Sequence, residues 1–261
     1  MQQTSSLYRR IIADENHWFQ TRVVVGESGN LITENGEKIL FGGFSIIVSR
    51  TGPDAGYPEN YIFSVKTYSN MLQNKLEIGK CIAQEIEVQM MNPSGDMPRM
   101  SVVVPYVRAC NATQQSEWIQ QGIFYIDTRQ ITDNNDEKVL TIHGYDAMMR
   151  GNQGLAESSI SWPATDANVV RLIASNMGIG VDPRTFAIMT DSYSISYPGT
   201  KYTMLDLLGY IASMYLGSFI ITETGTLRLI SFLELPEETR YLIDQVGDNI
   251  TFGGNRILLY R

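Results

Sequence analysis

Residues 122–149, GIFYIDTRQITDNNDEKVLTIHGYDAMM, carry two runs rich in Ile, Val, Thr and Tyr on either side of the polar tetrad Asp133-Asn134-Asn135-Asp136. Such runs bounded by turn residues read as strands, so the stretch is a β-hairpin. A corner follows at Gly144, Tyr145 and Asp146 and leads into a short helical start. The same stretch holds acids, an arginine, a histidine and two tyrosines, so an active site has to be weighed against a structural part.

The chain around it has the same β texture up to about residue 155. In NKLEIGKCIAQEIEVQM, residues 74–90, Leu76, Ile78, Ile82, Ile86, Val88 and Met90 share one parity. Lys75, Glu77, Glu85, Glu87 and Gln89 share the other, the period-two pattern of a half-buried strand, or of two strands kinked at Gly79. Asn35-Gly36 between LIT and KIL is a strong hairpin signal, and Gly42-Gly43 predicts a bulge or close backbone approach. Pro105 inside SVVVPYVRA marks that strand as an edge or bulged one. Residues 50–60 and 92–98 read as loop and turn by their Gly, Pro, Asp and Asn content.

Helical signals begin later. Thr165 is a candidate N-cap, Val169, Val170, Leu172, Ile173 and Met177 form a stripe at helical spacing, and Gly178 is a natural stop. A second helix opens with Thr203 and Asp206 as a capping-box pair, buries Leu207, Leu208, Ile211 and Tyr215, and stops at Gly217. The hairpin SFIITETGTLRLISF follows, turning at Thr224-Gly225. The expected class is α+β, mostly antiparallel β. Residues 1–155 form a β domain, 156–237 a small α+β domain of two helices plus a hairpin, and 238–261 a terminal strand segment. That segment either returns to the first domain or starts a further one.

Composition narrows the function classes. The chain of 261 residues is 43% apolar and 18% charged, with a net charge of −8. A protein that grips phosphate backbones needs clustered Lys and Arg, which this balance disfavours, although an acidic wall suits a channel through which DNA slides. The N-terminus has no signal-peptide pattern and no run approaches the roughly 20 apolar residues of a membrane span, so a soluble protein made in the cytoplasm is expected. Cys81 and Cys110 have no metal or redox spacing and read as buried thiols.

The chemistry-bearing residues form no motif. His17 and His143 lie outside any recognisable catalytic pattern, and His143 sits in a strand in line with Val139 and Thr141. The DNND tetrad lacks the glycine and distal glutamate of a calcium loop. Asp127 and Asp146 flank the hairpin, and Asp127 with Arg129 on one strand face suits an ion pair across a sheet or subunit boundary. No phosphate loop is present, since FGGF and FGGN do not open a helix. We therefore expect no active site, metal or cofactor.

Three segments carry a family resemblance. Gly122, Phe124, Tyr125, Ile126 and Asp127, then Gly144, Tyr145, Asp146, Ala147 and Met148, match a G-x-F-Y-I-D hairpin ending in G-Y-D-A-M. Leu207, Leu208, Tyr210, Ile211, Ala212, Gly225 and Leu227 match a later helix and hairpin, and Gly79, Ala83, Glu85, Ile86 and Val88 match a G-x-x-x-A-x-E-I-x-V strand. Together they resemble the tail hub proteins of long-tailed phages and prophages, especially those of Gram-positive hosts. The resemblance implies a tail-tube-like β domain, barrel or sandwich. It also implies a homo-oligomeric ring, commonly a trimer, at the virion tail tip. Such a ring joins tube to tip, lines or closes the DNA channel, and contacts the distal tail protein, the tape measure and tail tip or fibre proteins. Relatives often continue into further domains, sometimes a peptidoglycan-cleaving one. This chain ends before any such region, so no enzymatic activity carries over.

Two other readings stay open: a distal tail protein forming a hexameric ring, and a carbohydrate-binding β module or glycosidase fragment. Under the hub reading Glu77, Glu85 and Glu87 are the candidates for a channel wall, because the opposite parity of their strand is apolar and faces a core. DNA then passes without specific binding, and no stable membrane insertion is expected.

Overall fold

Strand β1 (Trp18–Gly26) pairs antiparallel with β4 (Val102–Cys110), which heads an all-antiparallel sheet. Its other members are β2 (Ile62–Tyr68), β3 (Glu85–Met91), the short β5 (Ile119–Gln120), β6 (Phe124–Asn134) and β7 (Glu137–Tyr145). The order is β1-β4-β6-β7-β3-β2, with β5 beside β4. This computed structural model describes residues 4–26, 29–30, 40–41, 44–45, 47–48, 56–69, 78–92, 101–134, 137–155, 160–190, 192–199, 201–232, 251–252 and 255–256. The Asn35-Gly36 turn, Gly42-Gly43, residues 93–98 and Glu77 lie outside them.

The two ends of the sheet meet. Val23 of β1 exchanges both backbone hydrogen bonds with Tyr57, just ahead of β2, at 2.8 and 3.3 Å. The sheet thus curls into a barrel whose interior is filled by the apolar parity of every strand. Ile86, Val88 and Met90 of β3, Val103, Phe124 and Ile142 are fully buried there beside Val23, Ile126 and Leu140. Each such side chain contributes about 2 kcal/mol by leaving water. The alternation expected from the sequence therefore holds for residues 85–91. It fails upstream: residues 78–84 are not strand, and Gly79 (φ +77°) sits in a turn with Ile78 exposed.

Pro105 is not in an edge strand, because β4 lies between β1 and the β5–β6 side. It does sit at an irregularity: residues 121–123 stand opposite Val104 and Pro105, so the register shifts by one between Tyr106–Gln120 and Val103–Phe124. It faces Val23 in the register, and Val23 spends its N–H and C=O on Tyr57. That pair therefore makes no ladder bonds. The backbone of Pro105 faces the β5 side, where its carbonyl accepts from the Gln121 N–H at 2.9 Å and the irregular pairing tolerates the missing N–H.

A second apolar cluster lies on the outside of the barrel and joins it to the helices. Val24, Val102, Val104, Tyr106 and Tyr125 pack in one cluster with residues of α2 (Asp166–Met177) and α4 (Met204–Met214). Thr165 accepts from the Asn168 N–H and Gly178 ends α2 in the left-handed region (φ +73°), as its sequence signals require. The Thr203–Asp206 capping box is complete in both directions. The stop of α4 differs from expectation. Tyr215 caps it, Leu216 takes the positive φ (+49°), and Gly217 already begins β8 (Gly217–Ile221). Strand β8 pairs with β9 (Leu227–Ser231) across a turn in which Gly225 has φ +79°. Towards the end of the chain, Thr251–Phe252 pairs antiparallel with Asn255–Arg256.

Two helices had no clear sequence signal. Ser6–Ile12, designated α1, is too short to be stable alone. It is held by fully buried Ile11 and by Ser5, whose N–H and Oγ donate to Glu117 at 2.9 and 2.6 Å. Arg184–Ile188, designated α3, packs on β9 through buried Thr185, which accepts from the Leu229 N–H at 3.1 Å.

One buried polar pair ties α2 to α4. Asp166 is 1% exposed, its Oδ1 accepts from the Ala167 N–H, and its Oδ2 accepts from the Tyr215 hydroxyl. Tyr215→Phe leaves that carboxylate oxygen without its donor, which costs about 2 kcal/mol and lowers the melting temperature by about 5 °C. Thermal melting followed by circular dichroism checks this; an unchanged midpoint would remove the pair from the stability account.

Candidate functional site

Several of the motif residues meet at the junction between barrel and helices, among them Gly79, Tyr125, Ala147 and Met148, while Phe124, Ile126, Ile86 and Val88 fill the barrel and Asp127 is exposed. Gly79 and Gly209 touch at the junction. A Cβ on Gly79 would lie 2.2 Å from Ser213 Oγ and 2.7 Å from the Gly209 carbonyl oxygen, and one on Gly209 would lie 2.6 Å from the Gly79 carbonyl oxygen. The Gly79 N–H donates to Gly217 O at 2.7 Å, so the turn before β3 hangs on the start of β8. Gly225 packs against Ile123, and the Gln120 side chain donates to Glu223 O at 2.6 Å, fastening the β8–β9 turn to β5.

The hairpin motif forms the other half. Phe124 fills the barrel interior and Gly122 is buried against its ring. Tyr125 points to the outer cluster, where the Arg150 guanidinium stacks 3.9 Å from its ring centroid. Gly144 has no room for a side chain, since a Cβ would lie 2.5 Å from Tyr125 O. The β6–β7 register shifts between Ile126 and Thr128, which makes Asp127 the extra residue of a bulge. The Gly-Tyr-Asp corner ends in a single 3₁₀ turn, Ala147–Gly151.

Asp146 caps that turn by accepting from the Met148 N–H at 2.9 Å, and its own N–H donates to Gln84 O at 3.0 Å. It is 2% exposed and its Oδ2 has no partner. Burial pushes its carboxyl up to about 7, against the two backbone hydrogen bonds. Asp127 lies apart from it, exposed on the hairpin. There, burial first and then the charges of Glu85 and Asp127 hold the Tyr145 hydroxyl above its ordinary range. The two aspartates that flank the hairpin thus stand in opposite environments.

Glu85 and Glu87 lie on the outer face of the barrel, half-buried, in cross-strand rows. Glu87 stands between Lys66 and His143, and Glu85 between Tyr68 and Tyr145. Lys66 Nζ is 3.4 Å from Glu87 Oε1 and His143 Nε2 is 3.6 Å from Glu85 Oε2. His143 also meets the Tyr145 ring edge-on at 5.1 Å, so it is a rim histidine packed into this face. Among the described residues, no group of three or more His, Cys, Asp or Glu side chains is placed to hold a metal. None of the described helices is long and apolar enough to cross a membrane. Both cysteines are free thiols, and burial pushes Cys81 up to about 12.

No family model matches the chain, and no curated protein does. Solved structures with similar folds include the 43 kDa tail protein of prophage MuSo2 from Shewanella oneidensis (12% identity, TM-score 0.45, 81% of this chain and 53% of that one). They also include a tail protein from Neisseria meningitidis (9%, 0.43, 89% and 53%) and prophage tail protein gp18 from Listeria monocytogenes (9%, 0.39, 85% and 58%). The chain thus spans little more than half the length of these proteins. At TM-scores below 0.5 none of these likenesses decides a function.

Gly209 is the residue of this junction that sequence reading passed over. The available signal was a glycine inside an otherwise strong helix, where it costs about 1 kcal/mol and so implies a close approach.

Proposed function

We propose that the chain is a structural subunit of a phage or phage-like tail, forming a hub ring that joins tube to tip. The observation that carries this reading is the β6 edge. Among the described residues, β6 beyond Ile126 pairs on one side only, with β7, and residues 127–133 are exposed on both faces, Ile131 at 56%. An exposed strand that projects past the barrel, with Ile131 on its surface, suits an assembly surface that packs against a neighbouring copy. The motif residues support the reading from another side, since those described serve packing in the barrel and at its junction with the helices.

In the proposed ring, a trimer, the polar parity of β3 lines the passage. Glu85 and Glu87 present negative charge to DNA so that it slides without binding. Partners are other copies of the chain, the distal tail protein, the tape measure and tip or fibre proteins.

Cryo-electron microscopy of the particle that carries this subunit tests the proposal. Three copies in one ring, with the β3 face towards the lumen, are expected. Six identical copies would transfer the chain to the distal tail role, and a lone copy would sink both. A ring whose lumen is lined by another face would remove the glutamates from the channel.

A further inference from the structure

A cavity of about 500 Å³ opens beside β1 and β4, walled on its far side by the turn Glu59–Tyr61 that precedes β2. The strand registers bring its polar groups together. Gln20 stands opposite Arg108, and Trp118 directly precedes β5, which pairs with β4 at Val107. The Trp118 ring centroid is 4.4 Å from the Arg108 guanidinium carbon and 5.0 Å from that of Arg22. Arg108 donates through Nε and Nη2 to Gln20 Oε1 at 2.9 and 2.6 Å. Its guanidinium is therefore oriented by an aromatic face and a neutral amide, and no carboxylate pairs with it among the described residues. In a chain with 28 acidic and 20 basic residues, a half-buried arginine held this way is a ready anion receptor.

We propose that this cavity binds a saccharide that carries a carboxylate. The planar guanidinium of Arg108 matches a carboxylate, which an ammonium would not do as well. The indole offers an apolar ring for the C–H face of a sugar. Asn60 and Glu59 supply amide and carboxylate partners for hydroxyl groups. Of the eight described lining residues only Pro58 and Trp118 are apolar, a wall suited to a polyhydroxylated ring. The volume is that of a small-ligand pocket, with room for one or two sugar rings. The inference stands on the isolated chain and does not depend on the ring reading.

Isothermal titration of the full chain with the β-1,4-linked disaccharide of glucuronic acid tests it, with cellobiose, sodium acetate and hexaglutamate as controls. Saturable binding of the acidic disaccharide alone is expected. Arg108→Gln should weaken it about 10-fold or more, the loss of one charge-assisted bidentate contact. Gln20→Glu keeps the arginine and the fold but supplies an internal carboxylate, and should abolish binding. No saturable heat at millimolar concentrations overturns the proposal, as does binding that survives Gln20→Glu. Equal binding of hexaglutamate would make the cavity a protein-docking site, equal binding of acetate a bare anion site, and either outcome rejects the saccharide.

Discussion

Replacing Gly209 with alanine should destabilise the chain by about 2 kcal/mol, although alanine is the better helix former by about 1 kcal/mol. Local propensity and tertiary packing make opposite forecasts at this position. The new Cβ would stand 2.6 Å from the Gly79 carbonyl oxygen, and backbone on both sides leaves nothing flexible to yield. Either α4 moves off the turn at residues 78–79 or the Gly79 N–H bond to Gly217 lengthens. Gly79→Ala should cost more, about 4 kcal/mol, because it adds a left-handed φ of +77° to the same collision. The double variant should cost less than the sum, since one shift relieves both contacts. Urea unfolding of the three variants is the measurement. A Gly209→Ala protein more stable than its parent would mean that the two glycines do not hold barrel and helix together.

The second large effect depends on pH. The Asp146 carboxyl titrates near 7 in the folded chain and near 4 when unfolded. Between those values the unfolded state has released its proton and the folded state keeps it. The unfolded state then binds fewer protons, so stability falls as pH rises from about 4 to about 7 and is level beyond. At pH 8 the fold carries an ionised buried carboxylate at a cost of roughly 4 kcal/mol. Asp146→Asn keeps an oxygen for the Met148 N–H and carries no charge. Its buried amide donors cost about 1 kcal/mol at every pH, leaving a net gain of about 3 kcal/mol at pH 8. The variant should therefore melt about 8 °C above the parent at pH 8 and no higher than the parent at pH 4. Melting temperatures of both proteins across that range decide the matter. A difference that stays constant with pH would place the titrating group elsewhere.

Much of this architecture was legible beforehand because its signals are local. Parity assigned Ile86, Val88 and Met90 to a core and Glu85 and Glu87 to the other face, since successive strand residues point to opposite sides. Thr165, Gly178 and the Thr203–Asp206 pair bounded the helices because a cap satisfies orphan backbone groups within a few residues. The hairpin at 122–149 and the turn at Gly225 followed from the same kind of local chemistry.

Other features depended on approach from a distance. Residues 78–84 alternate as a strand would, yet Gly79 must turn there to meet α4 more than a hundred residues later. Pro105 reads as an edge or bulge signal, and only the pairing of distant segments decides between them: β4 is interior, with the register shift beside the proline. The aspartates Asp127 and Asp146 look alike in sequence. One lies at an exposed bulge and the other in a closed junction, and burial alone separates their ionisation. Arg22, Arg108 and Trp118 share no motif, and only the β1–β4–β5 registers bring them to one cavity. Periodicity and capping act within a few residues and so are written in the chain order. The meeting of Gly79 with Gly209, the closure of the barrel and the desolvation of Asp146 arise from contacts between distant segments, which tertiary packing alone selects.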